Sequence, residues 1–298
     1  MKNKPLYKKI ILAGGTGFVG KYLQQQFLKL GYKVIIIARN TPINWKNPDE
    51  ITEALEHSEF LINLAGKSVD CRYNKKNKTE ILLSRIQTTK ILGEAIQNCK
   101  FPPKIWFNSS TATIYRHAED RTMTEQEGEI GTGFSVGIAT AWEKEFFGFE
   151  LSKTRQIALR MAIILGKDGG VIPPYKNIVR FGLGGKQGNG NQMFSWLHIH
   201  DLYRIILFLH KNETLEGVFN CSSPNPVKNK ELMKIFREKM KIPVEIPTPK
   251  FLLEIGAFII RTETELLLKS RWVIPQRLQN KGFEFDYPDL EKAIEESL

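Results

Sequence analysis

The chain has 298 residues, 42% hydrophobic and 25% charged, enough to bury a sizeable core with the composition of an ordinary globular protein. A net charge of +11 favours anionic small-molecule partners, but the basic residues are scattered and the dense run RYNKKNK (72–78) lacks the interleaved aromatics of a nucleic-acid surface. No stretch reaches the roughly 18 apolar residues of a membrane span, and three widely spaced cysteines (Cys71, Cys99, Cys221) exclude a disulfide framework and point to the reducing cytoplasm.

The amino terminus, MKNKPLYKKIILAGG, has basic residues ahead of an apolar run, as signal peptides do. Its apolar part is too short and opens into glycines, so it reads as a tail followed by a strand, KKIILAG (8–14). FVGKYLQQQFLKLG (18–31) is a helix closed by Gly31, and KVIIIAR (33–39) a second strand. A polar, proline-containing stretch leads to a third strand, EFLINLAG (59–66). A long helix over 79–99 carries Leu82, Ile86, Leu92 and Ile96 among its apolar positions. Then come a strand at PKIWFNSS (103–110), a helix at GIATAWEKEFFGF (137–149) and a strand at TRQIALRMAIILG (154–166). Apolar strands alternating with helices define an α/β protein, a Rossmann-type doubly wound parallel sheet covered on both faces.

Beyond residue 166 the pattern changes to a glycine-rich loop, a short strand and a helix, LYRIILFLH, with Asp201 placed to cap it. The expected division is a nucleotide-binding domain over 1–165 and a smaller substrate-side lobe over 166–298, whose last part starts near 245. FLLEIGAFII (251–260) is short and carries Glu254, so it reads as a buried or partner-facing helix. The chain ends on a helix that Asp286 or Pro288 starts.

Between the first strand and first helix lies AGGTGFVG. In that context glycines have distinct physical jobs: Gly14 permits the tight turn, Gly17 lets backbone approach a pyrophosphate, and Gly20 lets the helix pack closely on the sheet. The helix start offers free N–H groups and a partial positive charge to phosphates. At the end of the second strand an NAD site would place a carboxylate for the ribose hydroxyls. The sequence there is ARN, with Arg39 and no acid before Asp49, a choice that favours the 2′-phosphate of NADP over NAD.

The glycine spacing, NLAG (63–66) and SSTATIY (109–115) resemble the extended short-chain dehydrogenase/reductases. SRIQTT (84–89), AWEKE (141–145), LGKDGG (165–170), FGLGGKQGNGNQMFSWLHIHD (181–201), SPNPVKN (223–229) and the closing GFEF (282–285) are similar to its atypical branch, the nucleoside-diphosphate-sugar epimerase-like proteins with their own C-terminal domain. The resemblance implies that the dinucleotide is held by Gly14, Gly15, Thr16, Gly17, Phe18, Val19 and Gly20 together with Arg39, Leu64, Ala65, Gly66 and Ser109. It implies that Thr111 orients the substrate oxygen, with Tyr115 a further catalytic candidate, and that Lys67, Ser195, Trp196 and His198 border the substrate.

In the superfamily's usual site a tyrosine and a lysine four residues apart share one helix face, where the lysine's charge lowers the tyrosine's pKa. Lining up AWEKE with the glutamate that follows that pair puts Ser135 and Ala139 at the two positions. None of the eight tyrosines has a lysine at i+4. The atypical branch shares this gap. His198 and His200 would lie on one strand face, yet no third ligand accompanies them and no metal is expected. YRHAED, with Arg116 and His117, departs from the Tyr–Gly usual in the branch. Two readings remain: an NADP-dependent epimerase or oxidoreductase acting on a polar, anionic small molecule such as a nucleotide sugar, and a non-catalytic NADP(H) sensor that binds a partner. A homodimer is compatible with either.

Overall fold

The computed structural model describes residues 8–167, 169–249 and 268–298. β1 (Lys9–Ala13), α1 (Phe18–Lys29), β2 (Lys33–Ile37), α2 (Pro48–Leu55), β3 (Ser58–Asn63), α3 (Lys75–Asn98) and β4 (Ile105–Thr111) follow one another as strand and helix in alternation. A short 3-10 turn (Ala112–Ile114) leads towards α4 (Phe134–Phe147) and β5 (Arg155–Met161). The second half comprises β6 (Ile163–Leu165), α5 (Ile172–Arg180), β7 (Met193–Phe194), β8 (Trp196–His198) and α6 (Ile199–Lys211). It continues with β9 (Gly217–Cys221), β10 (Val227–Lys228), α7 (Asn229–Met240), α8 (Gln276–Asn280) and α9 (Leu290–Ser297).

The main sheet runs β2-β1-β3-β4-β5-β9, every pair parallel. Because side chains alternate along a strand, each central strand feeds two cores. Ile10, Leu12, Phe60, Ile62 and Phe107 pack with Leu23 and Phe27 of α1 and with Leu202, Ile205 and Leu209 of α6. Ile11, Ala13, Leu61 and Trp106 pack on the other face with Ile51 and Leu55 of α2, Leu92 and Ile96 of α3 and Phe146 of α4. A sheet covered on both sides needs nearly continuous apolar strands, which is why these segments read so plainly. The strand order reverses between β1 and β3, the switch point where open α/β sheets bind ligands beyond their carboxyl ends.

A second core joins α5, α7 and α9 through Ile172, Val179, Leu232, Phe236, Leu290 and Ile294, with Trp196 and Leu165 from the small pair β6-β8. The boundary expected at 165 falls at the end of β6, before α5. After entering this lobe the chain returns to the main sheet, where α6 covers one face and β9 pairs with β5. The strand expected over 154–166 is likewise two strands in different sheets: Ala162 donates its N–H to Cys221 O, and Ile163 then turns to Ser195 O. The helix read at 251–260 lies outside the described residues. Among the described residues no helix is long and apolar enough to cross a membrane.

Candidate functional site

The loop after β1 is shaped by close backbone contacts. Gly14 has φ +75° and lies so near Leu64 and Ala65 that a Cβ would come within 2.6 Å of Ala65 backbone. A side chain at Gly20 would meet Gly15 backbone at 2.4 Å, so helix and loop touch directly. At Gly17, by contrast, a Cβ would meet nothing within 4 Å. Gly17 is the N-cap of α1, and no side chain caps that end. The first N–H groups of the helix, from Phe18 onward, therefore face an open, exposed cradle at Thr16 and Gly17 suited to an anion. Phe18 itself is wedged against Gly166, Gly169 and Gly170, where any Cβ would crowd its ring, so LGKDGG shapes the loop's far wall.

Beneath the cradle is a buried polar network that the sequence reading did not isolate. Asn63, at the end of β3, donates to Asn108 Oδ1 (2.7 Å) and to Thr89 Oγ1 (3.2 Å), while its own Oδ1 accepts from Ala65 N (3.0 Å). Trp142 donates its indole N–H to the same Thr89 oxygen at 2.9 Å. One amide thus fixes the Leu64-Ala65-Gly66 backbone against α1's loop. The available signal was an asparagine following the apolar run of each of two strands, at the end of β3 and in the middle of β4, an expensive residue to bury unless its polar atoms are used.

Arg39 lies in the turn just past β2, exposed and with no carboxylate partner among the described residues. Thr41 organises that turn, its Oγ1 accepting from Ala38 N at 2.8 Å. On β4, Ser109 is 4% exposed and its Oγ has no hydrogen-bond partner among the described residues. A buried, unspent hydroxyl beside the switch point fits a site that a cofactor completes. Thr111 Oγ1 accepts from Thr113 N (3.1 Å), which starts the 3-10 turn and leaves the Thr111 O–H available to donate.

Tyr115 belongs elsewhere. It is 1% exposed, donates to Asn220 Oδ1 (2.9 Å) and accepts from Arg160 (2.8 Å). Burial raises its pKa, against the opposing pull of Arg160. The structure thus places the Tyr115 phenol in the core, with its hydroxyl engaged by Asn220 and Arg160. Arg160 continues the chain of contacts to Glu143 on α4 (2.7 Å), and Ser110 donates to Glu143 at 2.5 Å.

The position where the pair's lysine is expected is filled by packing. Ala139 is fully buried against the residues of the turn, Ala112, Ile114 and Tyr115. Lys67, expected at the substrate, gives its ammonium to Glu80 and to Asn77 (2.7 Å). Next to it Arg85 stacks its guanidinium 5.1 Å over the Trp142 ring and donates to Lys67 O (3.1 Å) and Ile81 O (2.9 Å).

On the second lobe, Ser195 and Trp196 bond their polar atoms to backbone. Ser195 Oγ lies 2.7 Å from Arg271 O and accepts from Val273 N (2.8 Å), and the fully buried Trp196 donates to Asn225 O. His198, not Asp201, caps α6, accepting from His200 N. Burial and the neighbouring His200 pull its pKa down to about 4, and its ring lies 3.8 Å from that of Tyr287. Asp201 instead accepts from Asp286 N (2.9 Å) and Tyr287 N (3.0 Å), tying down the chain that enters α9, whose cap is Asp289. Among the described residues no group of three or more His, Cys, Asp and Glu could hold a metal ion.

Residues 269–273 run across the 3-10 turn at Ala112–Ile114. Lys269 donates to Thr113 O (2.7 Å), Arg271 to Thr113 Oγ1 (3.0 Å), and Ser270 N to His117 Nδ1 (3.1 Å). The unusual YRHAED loop is thereby explained: His117 receives this segment, and Arg116 holds the loop's shape through Asp120 and Glu129.

The switch point, the uncapped α1 and the Asn63 platform define a Rossmann-type dinucleotide fold. Comparison with known proteins gives its place more closely. Residues 10–135 match the NAD dependent epimerase/dehydratase family and residues 248–297 a domain of unknown function, DUF1731. An epimerase family protein of Staphylococcus saprophyticus is 32% identical over 97% of this chain and 99% of its own. Epimerase family protein YfhF of Bacillus subtilis is 32% identical over 97% of both chains. The crystal structure of human epimerase family protein SDR39U1 with NADPH superposes with a TM-score of 0.88 at 30% identity, covering 97% of this chain and 98% of that one. The chain belongs to this epimerase family, and it carries both the epimerase/dehydratase segment and the DUF1731 segment.

Proposed function

We propose that the protein is an NADP(H)-dependent epimerase or oxidoreductase acting on a small, polar, anionic molecule of the nucleotide-sugar class. The observation that carries this reading is the open, uncapped start of α1 at Gly17 combined with Arg39, a cation free of carboxylates at the end of β2. A neighbouring acid would repel a 2′-phosphate, whereas a guanidinium grips it with charge-assisted hydrogen bonds. The human relative's structure with NADPH supports the same preference.

A nicotinamide bound here supplies or accepts a hydride. The chain's own residues would do the rest: α1's N–H groups hold the diphosphate, Ser109 Oγ takes up the bond it lacks, and the Thr111 hydroxyl orients the substrate oxygen. The test is a titration with NADPH and NADH, followed by energy transfer from tryptophan to reduced nicotinamide. NADPH should bind at least about tenfold more tightly, a gap of about 1.4 kcal/mol. Equal binding would remove the role given to Arg39, and no binding of either would remove the function.

The packed Ala139 favours a second reading, a sensor without turnover. It requires a partner whose affinity differs between NADP⁺ and NADPH. Identical affinities for the two forms would eliminate it.

A further inference from the structure

Arg85 presents an electrostatic problem that the cofactor reading does not solve. Its guanidinium has five N–H donors in a fixed fork. One nitrogen, Nη1, serves Lys67 O and Ile81 O. The Nε and Nη2 donors have no hydrogen-bond acceptor among the described residues. No carboxylate pairs with it there either, since Glu80, the nearest acid in sequence, is committed to Lys67.

The charge is nevertheless substantially desolvated. Its face is covered by the Trp142 ring, and Gly66 is so close that a Cβ would lie 3.0 Å from the guanidinium carbon. Burial pulls the pKa down to about 10, with the Tyr73 phenol opposing this. Holding an unneutralised cation out of water costs several kcal/mol. Folds that tolerate such a cost commonly do so where a ligand supplies the missing charge, and strongly perturbed groups cluster at such places.

Position narrows the ligand. Arg85 sits beyond the β3 loop, on the face of the sheet carrying α3 and α4, whereas the diphosphate cradle belongs to α1 on the opposite face. Trp142 is one turn from Ala139, where the superfamily carries its lysine. Tyr73 meets the same helix at its first residue, with its ring 4.9 Å from that of Phe134. The cation lost from α4 is thus offset by one reaching α4 from α3.

We propose that Arg85 is the anion-holding residue of the substrate pocket, its free guanidinium edge receiving a carboxylate or phosphate oxygen of the molecule bound beside α4. This rests on the functional reading above and deepens it. The pocket selects substrates by an oxyanion close to the reacting centre, and Arg85 binds that group.

The test uses full-length protein, free and saturated with NADP⁺, titrated calorimetrically with inorganic phosphate and with oxalate. Wild type should bind at least one of them, Arg85→Met should weaken it at least tenfold, and Arg85→Lys should restore part of the loss. NADPH affinity, read by energy transfer, should stay within twofold in all three proteins. Should Arg85→Met fail to fold, Arg85→Gln keeps a donor for Lys67 O and Ile81 O and carries the same comparison. The inference is overturned if neither anion binds wild type, or if the variants bind as wild type does. A tenfold loss of NADPH affinity in Arg85→Met would also overturn it, assigning the residue to the cofactor. If NADPH binds none of the proteins the functional reading fails alone, and Arg85-dependent anion binding by the free protein would still uphold the site.

Discussion

Arg39 stands in solvent at the end of β2, and the absence of a carboxylate partner among the described residues makes its effect measurable. Charge-assisted contacts to a phosphate contribute about 1.5–3 kcal/mol. Arg39→Ala should therefore weaken NADPH binding by about ten- to a hundredfold and leave NADH nearly unchanged, as a paired titration would show. Gly14 gives a sharper expectation. With φ +75° and Ala65 backbone 2.6 Å from any Cβ, Gly14→Ala must displace the β3 loop. Its cofactor affinity should fall by more than tenfold, with a lowered melting temperature on the same sample. His198 adds a pH dependence. Its pKa is depressed from 6.5 to about 4 in the folded protein, so the stability it contributes is full above pH 6.5 and is lost as pH falls towards 4. The loss is on the order of 3 kcal/mol. Denaturant midpoints across that range should fall less steeply in His198→Asn, which retains a capping oxygen; identical slopes would refute the assignment.

At the scale of elements, Glu143 and Arg160 join α4 to β5, and both side chains are about one-tenth exposed. Removing one partner of such a pair strands the other, at a cost of about 3–5 kcal/mol. Glu143→Ala should show that loss in equilibrium unfolding, and Arg160→Met a comparable one. The legible elements were those whose signal is local. β1, β2 and β3 announced themselves as apolar runs because both faces are covered, and α1 by its glycines. α2, with barely two turns in a polar stretch, carried too short a pattern, and the β5-β6 break was hidden because both halves are apolar. The same rule separates the parts of the site. The tight turn at Gly14 and the close helix packing at Gly20 were readable from neighbours in sequence. Asn63 and Asn108 meet across 45 residues and Trp142 and Thr89 across 53, so their partnership is a property of topology alone. The partners of Ser195 and Trp196 were hidden for the same reason, since their polar atoms meet backbone that arrives later in the chain.

For the molecule as a whole, ligand binding and folding are linked. NADPH at a hundred times its dissociation constant should add about 2.7 kcal/mol to stability, which for a chain of this size raises the melting temperature by about 5 °C. A scan with NADPH and with NADH at equal concentration checks this independently of any assay. The segment around Arg271 has a further consequence, one concerning time. Lys269 and Arg271 brace the Thr113 turn from 156 and 158 residues downstream. A ribosome adding about 5–20 residues per second leaves that turn without its brace for roughly ten to thirty seconds after Thr113 is made. The glycine cradle is encoded early, whereas the substrate side waits for the far end of the message. A nascent chain cut short before residue 269 should hold the glycine cradle and lack the brace on the Thr113 turn, so under the proposed function translation separates dinucleotide binding from turnover.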